Sequence, residues 1–304
     1  MDRAGSFIEI NEQEWLTQFE RYLLASDLAP VTVSNYLVDL WAFARWLRQR
    51  SEGQASLLSI NPGGVQGYCV YLQATQRLSP VTINRRLQAI RKFAKFILAN
   101  GLAETNPTAG LKLLQGERAA WGRVLSPDEV ARLIEALQSG QRSLVKRDLA
   151  IVLLVVHAGL KVGELVNLRV TDFEPCEEGG AITVRRQDQG KRRTIFLAPE
   201  VCLALQAYLR VRLAPPTVEH LFLSQKGAPI SARSVQRLIR EYAAAAGLGE
   251  VSATTLRRTY AQTVWKKTGD LSQVASALGH TRLKSTIRYI TSLLEDTSEV
   301  EEKS

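Results

Sequence analysis

Apolar residues recur at helical spacing through the first fifty positions. Trp15, Phe19, Tyr22 and Leu23 form one stripe, and after a break at Leu28-Ala29-Pro30 a second runs through Val33, Tyr36, Leu37, Leu40, Phe43, Ala44 and Leu47. Two amphipathic helices over 12–50 are expected, then a polar, Gly-containing loop at 51–64 and a second helical pair from about Val65. The hexapeptide Leu28-Ala29-Pro30-Val31-Thr32-Val33 returns fifty residues later as Leu78-Ser79-Pro80-Val81-Thr82-Ile83. Each copy puts proline in the first turn of a helix, where its missing N–H has no partner to lose. Two related helical hairpins would explain the echo, and so would a chance repeat of a helix-start signal.

Periodicity fades after Asn106-Pro107-Thr108-Ala109-Gly110, and 111–124 reads as a linker. At Leu125-Ser126-Pro127-Asp128-Glu129 a strong helix start follows: Ser126 as N-cap, Pro127 at the first position and Glu129 placed to close a capping box. Helices are expected at 127–138, 144–159, 163–168, 199–213, 232–246, 255–267, 270–278 and 284–294. Two alternating runs at 181–185 and 193–197 predict a β-hairpin with a basic tip at 186–192. The fold class is therefore mainly α with a small antiparallel sheet, divided into a helical domain at 1–110, the linker at 111–124, and an α+β domain with a C-terminal tail at 125–304. The longest apolar stretch, 149–160, is too short for the roughly 20 residues that span a bilayer and predicts a buried helix.

Charge adds a direction. Thirty-nine Lys and Arg against 30 Asp and Glu give a net +9. Five acids (Glu295, Asp296, Glu299, Glu301, Glu302) crowd the last twelve residues, so the preceding 292 carry a net +13. A polyanion is the expected partner, and nucleic acid is the commonest one. From Arg77 to Lys95 the second hairpin carries Arg77, Arg85, Arg86, Arg91, Lys92 and Lys95 with no acid between them. A solvated face usually mixes signs, so these six are candidate phosphate contacts. Cys69, Cys176 and Cys202 lack a disulfide spacing, and His157, His220 and His280 lack a zinc spacing. With no secretory leader at Met1-Asp2-Arg3 either, a cytoplasmic protein without metal or other cofactor is expected.

Four motifs lie in order along the second domain. They are Gly159-Leu160-Lys161-Val162-Gly163-Glu164-Leu165, the hairpin Gly190-Lys191-Arg192-Arg193, Thr254-Thr255-Leu256-Arg257-Arg258-Thr259-Tyr260-Ala261, and Leu278-Gly279-His280 with Tyr289 nine residues after the histidine. Together they resemble the tyrosine recombinases of the phage integrase family, particularly the compact Xer-like and transposon-encoded members, over essentially the whole chain. The resemblance implies a helical core-binding domain for DNA at 1–110 and a catalytic domain at 125–304. It also implies a duplex recombination site as partner, a homotetramer on paired sites with a related recombinase as an alternative co-partner, and no membrane. Tyr289 would be the nucleophile, with Arg257 and His280 on the scissile phosphate and Lys191 the proton donor to the leaving group.

The residue types suit the chemistry. Attack on a phosphodiester gathers charge on the non-bridging oxygens, and without a metal, cations must stabilise it. A guanidinium grips two oxygens at once, and a tyrosine hydroxyl of ordinary pKa near 10 needs surrounding positive charge to shed its proton. Two positions depart from the family pattern: Lys161 stands where the family has its first arginine, and Thr254 where it has a histidine. Lysine keeps the charge but loses the fork, and threonine cannot shuttle a proton at neutral pH. The hairpin is ambiguous as well, because alignment backward from Leu197 puts Asp188 or Gln187 at the lysine's place. Three readings stay open: a site-specific recombinase or integrase working through a 3′-phosphotyrosyl intermediate, a recombinase-like DNA-binding protein with impaired or lost cleavage, and a lysine introduced at 161 to trap a complex.

Overall fold

The computed structural model describes residues 2–26, 28, 30–52, 55–114, 123–140, 144–176, 178–185, 192–214, 217–280 and 286–287, with side chains from Glu12 onward except Pro30. The chain divides into two compact units, Met1–Ala119 and Ala120–Ser304.

Among the described residues, four α-helices build the first unit: α1 (Asp2–Leu24), α2 (Pro30–Arg50), α3 (Pro62–Ala74) and α4 (Pro80–Ala99). Both copies of the Pro-Val-Thr echo open a helix, at Pro30 and Pro80, and the echo continues inward. Val33 and Ile83, Leu40 and Ile90, and Phe43 and Phe93 stand at equivalent positions of α2 and α4, and all six are buried. Phe19 of α1 meets Phe93 edge to face with centroids 5.2 Å apart, closing the core from the third side. Glu12, also buried, pairs with Arg48 and accepts a hydrogen bond from the Leu57 amide at 2.6 Å, which ties α1 to α2 and the following 3₁₀ turn. Helix α1 begins at Asp2, ten residues before the start expected at residue 12.

The second unit is built around α6 (Val145–Ala158), buried from Ala150 to Val156. At about 1.5–3 kcal/mol for each large side chain removed from water, that run dominates the core. Around it pack α5 (Pro127–Gln138), α8 (Pro199–Leu209), α9 (Ala232–Ala245) and α10 (Ala253–Thr268), with α7 (Val162–Val166) against α9 and α11 (Leu271–Leu278) against α10. The capping box at Ser126 and Glu129 forms as the sequence dictates. An antiparallel sheet in the order β1-β2-β3 lies against α6 and α8, with β1 Phe173–Cys176, β2 Gly179–Arg185 and β3 Arg192–Leu197. Its β2–β3 hairpin is the expected one, whereas β1 is an addition. The expected helix over 199–213 ends earlier, at Leu209, where Arg212 turns to the carbonyls of Val218 and Leu221. Buried Arg147 grips Asp148 through Nε (2.8 Å) and Nη2 (2.6 Å) and donates to the Leu223 carbonyl at 2.7 Å, so its charge is consumed structurally. Among the described residues no helix is long and apolar enough to cross a membrane.

Candidate active site

Three motifs converge at the mouth of the second unit because two glycines let the chain turn there. Gly159 ends α6 in the left-handed conformation (φ 63°), and a Cβ on it would lie 2.3 Å from the Tyr260 ring. Gly279 ends α11 the same way (φ 63°), and its Cβ would lie 1.9 Å from Nη1 of Arg193. A side chain at either place would combine backbone strain with a collision. The carbonyl of Gly159 accepts a hydrogen bond from Arg257, whose Nη2 also donates to the Leu278 carbonyl at 2.5 Å. Arg257 is thereby stretched between the first motif and the last, 5% exposed.

The rest of the third motif serves this placement. Ser252 caps α10, which sets Thr254 in the first turn, exposed, and puts Arg257 one turn further in. Thr259 accepts a hydrogen bond from the Leu125 amide at 2.9 Å, Tyr260 fills the space beside Gly159, and Ala261 is fully buried where α10 meets α11. Burial pushes the Tyr260 hydroxyl's pKa above its usual value, although Arg193 and Arg257 oppose the rise.

His280 follows Gly279 with Nε2 3.5 Å from Nη2 of Arg257 and Nδ1 3.0 Å from Oγ1 of the buried Thr286. Burial, seconded by the charges of Arg257, Lys161 and Arg193 and opposed by Glu164, lowers its pKa to about 4. The imidazole is therefore neutral at pH 7 and is suited to hydrogen bonding rather than to contributing charge. Lys161 is exposed and opens α7, with its backbone N–H donating to Glu164 at 2.8 Å. Lys161, Thr254, Arg257 and His280 line one cleft of about 570 Å³, together with Gln236 and Arg240 of α9. Four of the six catalytic candidates are thus brought together. The other two, Lys191 and Tyr289, lie outside the described residues, as do Asp188 and Gln187.

Glu164, Arg193, Gln236 and Arg240 were not among the sequence candidates. Glu164 was visible within the first motif, but its partner Arg193 lies 29 residues away and no local pattern links them. Gln236 and Arg240 stand one turn apart on α9, a signal indistinguishable from any solvated helix face.

In the first unit the six candidate cations divide. Arg85 and Arg86 share the buried Asp39, at 2.5 Å and 3.8 Å, and Arg86 also approaches the Tyr68 hydroxyl at 3.4 Å. Arg91 donates to the Leu111 carbonyl. Lys95 is exposed, Lys92 half-buried, and Arg77 stands in the turn before α4 with a positive φ of 48°. Asn84 bonds Leu114 both ways at 2.9 Å, which fastens the start of the expected linker to α4. Among the described residues no three His, Cys, Asp or Glu side chains gather as a metal site.

Residues 123–295, more than half the chain, match the model of the phage integrase family, and residues 16–101 match its N-terminal SAM-like domain. The chain belongs to the phage integrase family. A curated relative, the tyrosine recombinase XerC of Shewanella amazonensis, is 32% identical over 283 residues, covering 92% of this chain and 91% of that one. In fold, this integrase-family chain is similar to the XerH site-specific recombinase bound to palindromic difH substrate (TM-score 0.75, 21% identity, 99% of this chain and 90% of that one). It is similar also to the Tn1549 transposon integrase in complex with a circular intermediate DNA (TM-score 0.69, 17% identity, 94% and 99%). The chain is a site-specific tyrosine recombinase, an enzyme of DNA cleavage and rejoining.

Proposed function

We propose that the cleft holding Lys161, Thr254, Arg257 and His280 receives the scissile phosphate of a duplex recombination site. The buried Arg257 beside a neutral His280 carries this reading, because such a pair can meet two non-bridging oxygens with a fork and a single donor. The Tyr289 hydroxyl attacks phosphorus and loses its proton. The 5′ oxygen departs, taking a proton from the hairpin, where Lys191 is the donor we favour. The product is a 3′-phosphotyrosyl bond, which a 5′ hydroxyl later attacks to reseal a strand and release the tyrosine. No external energy source is needed, since the phosphotyrosyl linkage conserves the energy of the broken bond.

Lys95, Lys92 and Arg77 are the first-unit cations we assign to the DNA backbone, with Arg85, Arg86 and Arg91 placed by their internal partners. A cytoplasmic homotetramer on two paired sites completes the proposal, with a related recombinase as an alternative co-subunit. The reading as a DNA-binding protein without cleavage is not favoured, because the XerC relative is similar along nearly the whole chain and Arg257 and His280 are retained.

The test starts from a randomised, nicked duplex library, because the cognate site is unknown. Denaturant-resistant protein–DNA adducts are recovered and sequenced, and the enriched duplex is then assayed alone. Adduct formation by the wild type that is absent in Tyr289→Phe is the expected result. Salt-sensitive binding with no adduct in either protein would instead establish a binding module.

A further inference from the structure

Strand β3 carries an arginine where its own alternation calls for an apolar residue. Arg193 shares the inward face of the strand with Ile195 and Leu197. Its side chain is 15% exposed, and its Nε finds no hydrogen-bond partner among the described residues. A buried ion pair seldom stabilises a fold better than apolar residues of the same size, so stability alone does not account for it.

Its contacts point to another role. The fork holds both oxygens of Glu164, at 2.8 Å and 3.1 Å, and lies against the backbone of Gly279, one residue before His280. Glu164 also receives the Lys161 amide at 2.8 Å, and its Oε2 is 3.9 Å from Nη1 of Arg257. This carboxylate, only 12% exposed, thus joins the backbone of the first motif to the buried arginine of the third.

We propose that Arg193 is a positioning residue for strand cleavage: by occupying both oxygens of Glu164, it holds that carboxylate at the 3.9 Å of a loose ion pair with Arg257 and so fixes where the Arg257 guanidinium stands at the cleft. Without Arg193, Glu164 can close on Arg257, its other guanidinium partner among the described residues, and a full ion pair there would turn that guanidinium away from the reacting oxygens. Glu164 then changes from an organiser into an inhibitor.

This inference rests on the recombinase reading, and the closing experiment separates the two. On the duplex enriched by covalent capture, wild type, Arg193→Ala, Arg193→Lys and the double variant Arg193→Ala/Glu164→Gln are compared for adduct rate and for retention in a gel shift. Arg193→Ala is expected to slow adduct formation about 100-fold, the cost of a catalytic group displaced by an ångström or so, with binding little changed. Removing the freed charge in the double variant is expected to restore about tenfold of that loss, a coupling typical of residues in contact. Arg193→Lys, which keeps a cation beside Glu164 without the fork, should fall between Arg193→Ala and wild type. A double variant no faster than Arg193→Ala would overturn the proposal, because a merely structural arginine predicts equal or worse damage. No adduct from the wild type would overturn the recombinase reading instead.

Discussion

Gly269 and Gly279 offer a matched pair of perturbations. Both follow a helix C-terminus in the left-handed conformation, with φ of 62° and 63°. A Cβ on Gly269 meets nothing within 4 Å, whereas one on Gly279 falls 1.9 Å from Nη1 and 2.6 Å from Cζ of Arg193. Gly269→Ala therefore introduces only the left-handed strain, about 1–2 kcal/mol. Gly279→Ala adds the displacement of the guanidinium from Glu164, a charge-assisted pair worth about 1.5–3 kcal/mol. Local stability should fall by about 2.5–5 kcal/mol in total, the sum of these two costs. Amide hydrogen exchange read by mass spectrometry on peptides of α10 and α11 measures this directly, since protection reports the free energy of local opening. The expected result is protection lowered at least about tenfold further by Gly279→Ala than by Gly269→Ala, each 1.4 kcal/mol being a factor of ten. Equal losses would mean that Arg193 moves aside without cost, and the bidentate contact would lose its assigned weight.

Two further outcomes follow from the cleft. Lys161→Arg restores a fork in an open cleft that has room for it, and adduct formation should accelerate about five- to thirtyfold, less than the full worth of an oxyanion donor because lysine already supplies the charge; an unchanged or slower rate would show that position 161 does not meet the phosphate. His280, held down to about 4, takes up its proton in the unfolded chain near the usual 6.5 but in the folded one only near 4. Stability is thus lost as pH falls through that window, and between pH 7 and 5 wild type should lose about 1–2 kcal/mol more than His280→Gln in urea midpoints, after discounting for partial exposure. Parallel curves would contradict the burial assigned to the imidazole.

Much of the architecture was legible wherever a local pattern had a local cause. Ser126, Pro127 and Glu129 define a helix start by chemistry confined to four residues, and α5 begins there. The Pro-Val-Thr echo marked two equivalent helices, and the buried pairs Val33/Ile83 and Phe43/Phe93 show that the equivalence reaches the core. Strand β1 was illegible because Phe173-Glu174-Pro175-Cys176 has no alternation, and its register comes from pairing with Gly179–Ile182 of β2. The acid-free face of α4 misled in one respect: Asp39, 46 residues before Arg85, supplies the missing acid from a neighbouring helix. Arg193 escaped notice for the same reason, since a basic hairpin tip and a buried fork look alike until Glu164 is placed beside it. In both cases the partner arrives through tertiary packing, which no window along the chain contains.

If Tyr289 is the nucleophile, the covalent bond to DNA lies on its hydroxyl, and peptide mapping of the adduct locates that bond. Adduct from the enriched duplex is digested with nuclease and trypsin, and the nucleotide-bearing peptide is identified by mass spectrometry. Cleavage after Arg288 and Lys303 yields a peptide in which Tyr289 is the only tyrosine. The nucleotide mass is expected on that peptide, at Tyr289. Its appearance on any other peptide, such as one containing Tyr260, would rule out Tyr289 as the nucleophile.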